Sequence, residues 1–351
     1  MNHYPPTLPG HPNEPHSGER PVRWGILSTG HIAGKFAAAL RLAEGAELYA
    51  VASRGRERAE AFARIHGITK AYGSYRELVE DRRVDVVYIG TPHVFHLENT
   101  LMCLEAGKAV LCEKALTINA REAEEMIRVA REKKVFLMEA MITPHVPLVQ
   151  RLLGWVREGR LGEVRYFRAA RGLRRSFPPG ARQLARHLGG GSLLDLGVYP
   201  IAFATLLFER EPEEAFGTAH FGAEGTDEQG AALMKYPGGA IAEVAFALRT
   251  RMHNDAWIVG TEGSIHIEEI FAVPERAVLY DRDNQPVAIL EEPLRGHGLT
   301  WEAEEVMRCL REGRTESPRM PLERSLRIMR IMDRIRKPWP LHYPNDIVRT
   351  R

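Results

Sequence analysis

The sequence has few cysteines and no marked excess of one charge. Cys103, Cys112 and Cys309 are the only cysteines among 351 residues, and they lie too far apart to suggest a metal-ligand pair or a disulfide framework. We therefore expect reduced, buried thiols, no metal site and a cytoplasmic protein. Lys and Arg number 48 against 46 Asp and Glu, which gives no electrostatic reason to expect nucleic acid or an anionic membrane as a partner.

A long uninterrupted hydrophobic run is also missing. The most apolar stretch, residues 193–208, carries Asp195, Gly197 and Pro200. It is too short and too interrupted for a membrane span, so we expect a buried helix there. The first 21 residues contain five prolines before Pro21 and lack the charged start and apolar run of a signal peptide. They are predicted to be a disordered tail.

What the sequence does contain is a regular alternation of apolar runs and helical patterns over residues 22–141. The apolar runs are too continuous for strands with one exposed face, so they predict a parallel sheet covered by helices on both sides. Residues 142–337 have a different pattern, in which short runs are separated by turn signals such as Pro237-Gly238-Gly239. We therefore predict an α/β protein with an N-terminal Rossmann domain, whose parallel sheet is doubly wound (22–141). A C-terminal α+β domain with a large, mostly antiparallel open sheet (142–337) and a tail (338–351) follow.

The turn after the first predicted strand has the composition of a dinucleotide-binding turn. Its residues are Ser28, Thr29, Gly30, His31, Ile32 and Ala33. Small residues at such a turn allow backbone N–H groups to approach a pyrophosphate at the positive end of the following helix. Ser28 stands where the first glycine of the pattern is usual, and an ordinary strand–turn–helix is the alternative interpretation.

The end of the second predicted strand indicates which dinucleotide would bind. A fold that prefers NAD places Asp or Glu there to bind the ribose hydroxyls, and this sequence has Ser53 and Arg54 instead. A hydroxyl and a guanidinium can bind a 2′-phosphate. The sequence therefore favours NADP(H), with NAD(H) as the alternative cofactor and solvated arginines as the structural alternative.

Two further groups are candidates for chemistry. Glu113 and Lys114 end the fourth strand, where an open α/β sheet places its ligands. A lysine there can stabilise alkoxide character, although such a pair is often simply solvated. Asp195 and Tyr199 follow three glycines and share one face if the helix is continuous. They form either a proton-transfer pair, with the pKa of the phenol lowered by a cation such as Lys114, or a core tyrosine satisfied by Asp195.

Taken together, these motifs resemble the glucose–fructose oxidoreductase/inositol dehydrogenase (Gfo/Idh/MocA) family. The resemblance rests on residues 25–33, Gly90-Thr91-Pro92-His93 with His96, Glu113-Lys114, residues 138–141 and residues 190–199, and it extends from about Val22 to Lys337. Within the family, the sequence is most similar to the branch of dimeric dihydrodiol dehydrogenases and NADP-dependent xylose dehydrogenases.

The resemblance implies roles for individual residues. Lys114 would contact the nicotinamide ribose and the substrate hydroxyl, and Tyr199 would transfer the proton. The nicotinamide pocket would be lined by Thr91, Pro92, His93 and Glu113, and His96 would either contribute to it or be structural. The sequence departs from the family pattern at Ala115, where proline is usual, and at residues 142–145, which we expect to border the substrate pocket.

These observations predict an NADP(H)-dependent oxidoreductase acting on a sugar, polyol or cyclic diol. One alternative is a glycosidase that uses bound cofactor for transient oxidation and elimination, and another is a catalytically silent ligand-binding protein. The antiparallel sheet is expected to have an exposed apolar face that carries Ala242, Val244 and Phe246. Because such a face usually marks an interface, the sequence predicts a homodimer through it.

Overall fold

The computed structural model describes residues 20–178 and 180–346. The predicted N-terminal tail lies outside these ranges, apart from its last two residues. In the described part of the chain, the first sheet has six parallel strands in the order β3-β2-β1-β4-β5-β6. Its strands are β1 (Val22–Leu27), β2 (Ala46–Ala52), β3 (Lys70–Tyr72), β4 (Val86–Ile89), β5 (Ala109–Glu113) and β6 (Leu137–Ala140). The connecting helices are α1 (His31–Leu40), α2 (Arg56–His66), α3 (Tyr75–Glu80), α4 (His96–Glu105) and α5 (Ala120–Lys133).

The sequence explains these elements locally. Every residue of β4 and β5 is buried, as expected for strands covered by helices on both faces. Helix α5 begins after Asn119, whose side chain accepts a 3.0 Å hydrogen bond from the N–H of Glu122. Strand β1 pairs with both β2 and β4, so the direction of the winding reverses there. In doubly wound folds, ligands bind at the carboxyl ends of the strands at such a reversal.

The second sheet has eight strands in the order β14-β13-β12-β11-β7-β10-β9-β8. Its pairs are antiparallel except for β7 and β10, which run parallel. The strands are β7 (Val164–Gly172), β8 (Glu214–Phe221), β9 (Asp227–Lys235), β10 (Ile241–Ala247), β11 (Ala256–Gly260), β12 (Gly263–Ile267), β13 (Arg276–Asp281) and β14 (Pro286–Glu291). The helices are α6 (Pro147–Arg157), α7 (Val198–Phe208), α8 (Leu299–Arg311) and α9 (Leu322–Arg336). The predicted fold class is thereby confirmed.

The face predicted to be exposed on this sheet is the wrong one. Ala242, Val244 and Phe246 are fully buried, because the residues before α7 pack against them. Gly197 lies so close to Phe246 that a Cβ atom on it would come within 2.9 Å of the ring. The alternate residues of β10 therefore face outward, and Ile241 is 40% exposed. The alternation in the sequence was correct, but the choice of face depends on where α7 lies.

The segment after α9 also differs from the prediction of a tail, as far as residue 346. Trp339, Leu341 and Tyr343 are buried, and the Tyr343 hydroxyl donates a 2.7 Å hydrogen bond to the carbonyl oxygen of Gly190. Arg336 makes two hydrogen bonds to the carboxylate of Asp346. This segment therefore supports the glycine-rich loop of the second domain.

The stretch Arg186–Phe208 is long and apolar enough to cross a membrane by length and composition alone. However, 78% of its most apolar window is buried inside the protein. Helix α7 forms its second half and packs between the second sheet and α9. The burial is that of a core helix, in agreement with the expected buried helix over residues 193–208.

Candidate active site

A cavity of about 730 Å³ extends along the carboxyl edge of the first sheet to the second sheet. With the exception of His96, the structure brings every residue predicted for the site to the lining of this cavity. These residues are Ser28, Thr29, Gly30, His31, Ile32, Ser53, Arg54, Thr91, Pro92, His93, Glu113, Lys114, Asp195 and Tyr199. The cavity thus joins the predicted dinucleotide-binding turn to the predicted catalytic residues.

At one end of the cavity, the turn after β1 keeps the conformation of a glycine-rich turn without its first glycine. Ser28 has a φ of 112°, in the region that favours glycine. Its hydroxyl donates a 2.8 Å hydrogen bond to the carbonyl oxygen of Gly90 and so ties the end of β1 to the end of β4. No side chain within the described residues caps α1, so the first N–H groups of this helix are available to an anion.

The neighbouring lining comes from β2 and α2 and is basic. Ser53 is buried at the end of β2, whereas Arg54 and Arg58 are exposed at the rim. Within the described ranges, neither arginine has an ion pair. The acidic side chains that line the cavity, Glu113, Asp195 and Glu302, lie elsewhere. This end therefore offers unpaired positive charge and hydroxyl donors, and its residues fit a 2′-phosphate.

Lys114 connects the two domains at the other end of the cavity. Its Nζ donates a 2.6 Å hydrogen bond to the carbonyl oxygen of Asp195 and lies 3.8 Å from the Asp195 carboxylate. Burial lowers the pKa of the Lys114 ammonium group. The combined electrostatic effect of Tyr199, Asp195 and Glu113 is larger and acts in the opposite direction, so the pKa is raised overall. The peptide bond between Lys114 and Ala115 is cis.

Asp195 is an ionised link in this network. Arg182 donates a 2.9 Å hydrogen bond to its carboxylate. Burial alone would raise the pKa of Asp195, but Lys114 and Arg182 hold it well below its usual range. Asp195 lies in a π-helical turn, Leu193–Gly197, rather than in a continuous α-helix. The predicted i,i+4 geometry with Tyr199 is therefore altered, although both side chains line the cavity.

Tyr199 lies directly against the lysine. The Lys114 Nζ is 4.7 Å from the centroid of the Tyr199 ring, which is a cation–π distance. Burial raises the pKa of the Tyr199 phenol above its usual value, while Lys114 and Arg171 lower it in part. The expected lowering by Lys114 is thus present, but burial exceeds it, and the phenol is protonated at neutral pH.

Two of the three predicted histidines, His93 and His96, have different positions. His93 lines the cavity, and its ring nitrogens lie 2.7 Å and 3.2 Å from the carbonyl oxygens of Gly189 and Lys114. Burial lowers the pKa of His93 to about 3, so the ring is neutral. His96 lies behind the cavity wall, fully buried, with its Nε2 2.8 Å from the carbonyl oxygen of Thr91. Of the two roles expected for His96, cofactor contact and structural support, its contacts with backbone carbonyls favour the structural one.

The cavity also has residues that the sequence reasoning missed. Arg171 and Arg182 line it from the second domain, and Glu302 lines it from α8. Of the segment expected at the substrate pocket, Ile142 lines the cavity, whereas His145 is buried outside the lining.

The chain matches two parts of a known family. Residues 22–141 match the Gfo/Idh/MocA oxidoreductase family with an NAD-binding Rossmann fold, and residues 149–266 match its C-terminal domain. Trans-1,2-dihydrobenzene-1,2-diol dehydrogenase from Mus musculus is 37% identical over 331 residues, covering 93% of this chain and 99% of that protein. The enzyme of the same name from Danio rerio is 39% identical, with the same coverage of both chains.

A solved structure is similar over most of the chain. A 3-ketoreductase from Actinomadura kijaniata, in complex with NADP and TDP-benzene, has a TM-score of 0.82 at 30% identity and covers 91% of this chain and 98% of that one. Variants of that enzyme with a changed lysine or a changed tyrosine have also been solved. The cavity, the dinucleotide-binding turn and these likenesses agree, and the chain belongs to the Gfo/Idh/MocA family of oxidoreductases.

Proposed function

We propose that this protein is an NADP(H)-dependent oxidoreductase. It transfers hydride between nicotinamide and a hydroxyl-bearing carbon of a sugar, a polyol or a cyclic diol. The observation that carries the proposal is a single cavity with a dinucleotide-binding turn at one end and the contact between Lys114 and Tyr199 at the other. The similar trans-1,2-dihydrobenzene-1,2-diol dehydrogenases are named for a cyclic diol, and the similar 3-ketoreductase is solved with NADP.

The preference for NADP(H) is supported by charge. Ser53 and Arg54 stand where an acid would favour NAD(H), and Arg54 has no ion pair within the described ranges. A 2′-phosphate would supply the negative charge and the acceptor oxygens that these donors can bind. The pyrophosphate fits the first turn of α1 beside Gly30, where the N–H groups are uncapped.

At the end of the cavity that holds Lys114 and Tyr199, each residue has a separate role in the reaction. A bound nicotinamide supplies the hydride acceptor or donor. In reduction, the protonated phenol of Tyr199 gives its proton to the forming hydroxyl, and in oxidation the phenolate accepts it. Lys114 stabilises negative charge on the substrate oxygen. Asp195 holds Lys114 through its backbone carbonyl, and Arg182 keeps the Asp195 carboxylate in place.

The test is net turnover of added cofactor. The purified protein is supplied with NADP⁺ and a panel of sugars, polyols and cyclic diols, and nicotinamide absorbance is followed. Substrate-dependent formation of NADPH is expected. A glycosidase with transient oxidation would cleave glycosides without net reduction, and a silent binding protein would do neither, so either result would contradict the proposal.

We also propose a homodimer in the cytoplasm. Of the seven large hydrophobic side chains that are exposed in the described residues, five lie on strands of the second sheet: Phe216, Leu233, Ile241, Val287 and Ile289. Phe216 and Leu233 are directly opposite each other on β8 and β9. A second copy of the chain would cover this face. The three cysteines are buried and unpaired, which suits a reducing compartment.

A further inference from the structure

Arg171 is a partly buried arginine of the cavity that has no ion pair among the described residues. Arg171 lies near the end of β7 and lines the cavity. Its Nε atom is buried and has no hydrogen-bond partner, and no ion pair to its guanidinium is found in residues 20–178 and 180–346. A buried donor that is left unpaired costs free energy, and an acceptor on a molecule bound in the cavity would satisfy it.

Among the described residues, the acidic groups near Arg171 already have other partners. The groups that interact with its charge are Tyr199, Glu269, Arg175 and Asp195. Glu269 forms an ion pair with Arg251, at 3.2 Å. Asp195 is held by Arg182 and Lys114. The nearby carboxylates are therefore already engaged.

A second arginine adds to this charge. Arg175 lies three residues beyond β7, is exposed and lines the same cavity. Within the described part of the chain, it has no ion pair. A neutral hydroxyl could accept one hydrogen bond from either guanidinium, but it would leave both charges uncompensated. An anionic oxygen group compensates both and accepts from the planar fork of the arginine.

The location of the pair separates it from the cofactor. The residues that fit the cofactor phosphates, Gly30 and Arg54, follow strands of the first sheet. Arg171 belongs to the second sheet and interacts electrostatically with Tyr199, so it lies at the end of the cavity where the proton is transferred. The group that it binds is therefore part of the substrate.

We infer that the substrate is an anion, a hydroxyl compound whose carboxylate or phosphate ester binds to Arg171 and Arg175. This inference deepens the proposed function and rests on it, since it names the substrate class of the same site. Arg171 and Arg175 are then specificity-determining residues that select acidic sugars or polyols over neutral ones.

Binding to the NADP⁺-loaded protein tests the inference without requiring turnover. Calorimetric titrations use probes that differ in one group: D-glucuronate and D-glucose, D-xylonate and xylitol, and D-glucose 6-phosphate and D-glucose. In at least one pair, the anion is expected to bind about 10- to 100-fold more tightly, the size of a charge-assisted hydrogen bond. Preference for the carboxylates or for the phosphate identifies which anion is bound.

The arginine variants provide the decisive comparison. Arg171→Gln and Arg175→Gln should each reduce anion affinity about 10- to 100-fold and leave the affinity for the neutral partner nearly unchanged. Arg174→Gln is the matched control, because Arg174 is exposed in the same segment and does not line the cavity. Arg175 is exposed, so its variant is expected to fold even if Arg171→Gln does not. Arg171→Lys should restore part of the preference.

The outcomes separate this inference from the proposed function. Equal affinity for anion and neutral partner in all pairs, or a preference that survives both Gln substitutions, would overturn the inference. If neutral substrates then turn over NADP⁺, the oxidoreductase function stands without it. Arginine-dependent anion binding with no hydride transfer to any compound would have the opposite meaning, because the anion site would stand and the proposed reaction would fail.

Discussion

The Nζ atom of Lys114 lies 4.7 Å from the centroid of the Tyr199 ring, across the junction of the two domains. Lys114 directly follows β5 of the parallel sheet, and Tyr199 is in the first turn of α7. Neither domain has the pair by itself. The contact therefore ties the proposed chemistry to the packing of the two domains against each other.

Replacement of Tyr199 by phenylalanine should remove the proton donor and little else. We expect Tyr199→Phe to lower kcat about 10²- to 10⁴-fold, the usual contribution of general acid–base catalysis. Affinity for NADP(H) should be nearly unchanged because only a hydroxyl is lost. Steady-state kinetics and cofactor titration on one preparation measure both quantities.

The same preparation tests the structural alternative. A core tyrosine would show a lower melting temperature in Tyr199→Phe with unchanged turnover per folded molecule. Tyr72→Phe is a control, since its hydroxyl bonds to Asp81 and does not line the cavity. Equal kinetic losses in the two variants would remove Tyr199 from the proposed mechanism.

The pH dependence should differ between the two directions of reaction. Burial raises the pKa of Tyr199, so the phenol stays protonated through neutral pH. The kcat for reduction should therefore be constant there and fall only in the alkaline range. The kcat for oxidation should rise as pH increases towards that pKa, because oxidation requires the phenolate.

The pH at which the Tyr199 phenol loses its proton should depend on Lys114. Because Lys114 lowers the pKa of Tyr199 against the effect of burial, Lys114→Ala should move the midpoint to higher pH. Ultraviolet difference absorbance of phenolate, with Tyr199→Phe subtracted, measures the midpoint without turnover. A midpoint that moves to lower pH would contradict this assignment of charges.

Cofactor choice should depend on Arg54. Loss of one charge-assisted hydrogen bond costs about 1.5–3 kcal/mol, so Arg54→Ala should weaken NADP⁺ binding about 10- to 100-fold more than NAD⁺ binding. Arg64→Ala is the matched control, because Arg64 is exposed on α2 and lies outside the cavity lining. Equal losses for the two cofactors in Arg54→Ala would remove the basis for the preference.

Assembly should depend on the outward face of the second sheet. Leu233 is 39% exposed and lies opposite Phe216. If a second copy covers this face, Leu233→Glu should place a charge in an apolar interface and shift the protein to monomers. Light scattering at micromolar concentration measures the mass. A monomeric parent protein would end the dimer proposal.

Acid stability should depend on His145. Burial lowers the pKa of this imidazole from 6.5 to about 3, and neither ring nitrogen has a hydrogen-bond partner in the described residues. Between these values the unfolded chain binds a proton that the folded protein does not, so the folded protein loses stability as pH falls. The expected contribution is about 1.4 kcal/mol for each pH unit.

A variant without the imidazole isolates this contribution. The free energy of unfolding of His145→Leu should decline less steeply from pH 6 to pH 4 than that of the parent protein. His342→Leu is the control, because His342 is exposed. Parallel declines in denaturant titrations of His145→Leu and the parent would show that His145 is not kept neutral by folding.

Much of the first domain could be predicted because its signals are local. A buried parallel strand is a continuous apolar run, and the turn at Ser28 to Ile32 directly follows such a run. The rule that ligands bind at strand ends then predicts that Lys114 lies at the carboxyl edge of the sheet, and Lys114 does line the cavity there. The outward face of β10 could not be predicted in this way, since alternation gives two faces and only the position of α7 shows which one is covered.

By itself, the sequence determined the alternation of strands and helices in the first domain, although not the short strand β3 or helix α3. It also determined the replacement of an acid by Ser53 and Arg54 and the identity of the catalytic candidates. Tertiary structure alone decided the contacts, the pKa and the hydrogen-bond partners of each buried group. His96 contacts backbone carbonyls behind the cavity wall, and burial raises the pKa of the Tyr199 phenol despite the neighbouring lysine. The Nε atom of Arg171, which lines the cavity, has no hydrogen-bond partner among the described residues. The physical reason is that desolvation and charge pairing depend on contacts between residues far apart in the chain, and residue order does not specify which of these contacts form.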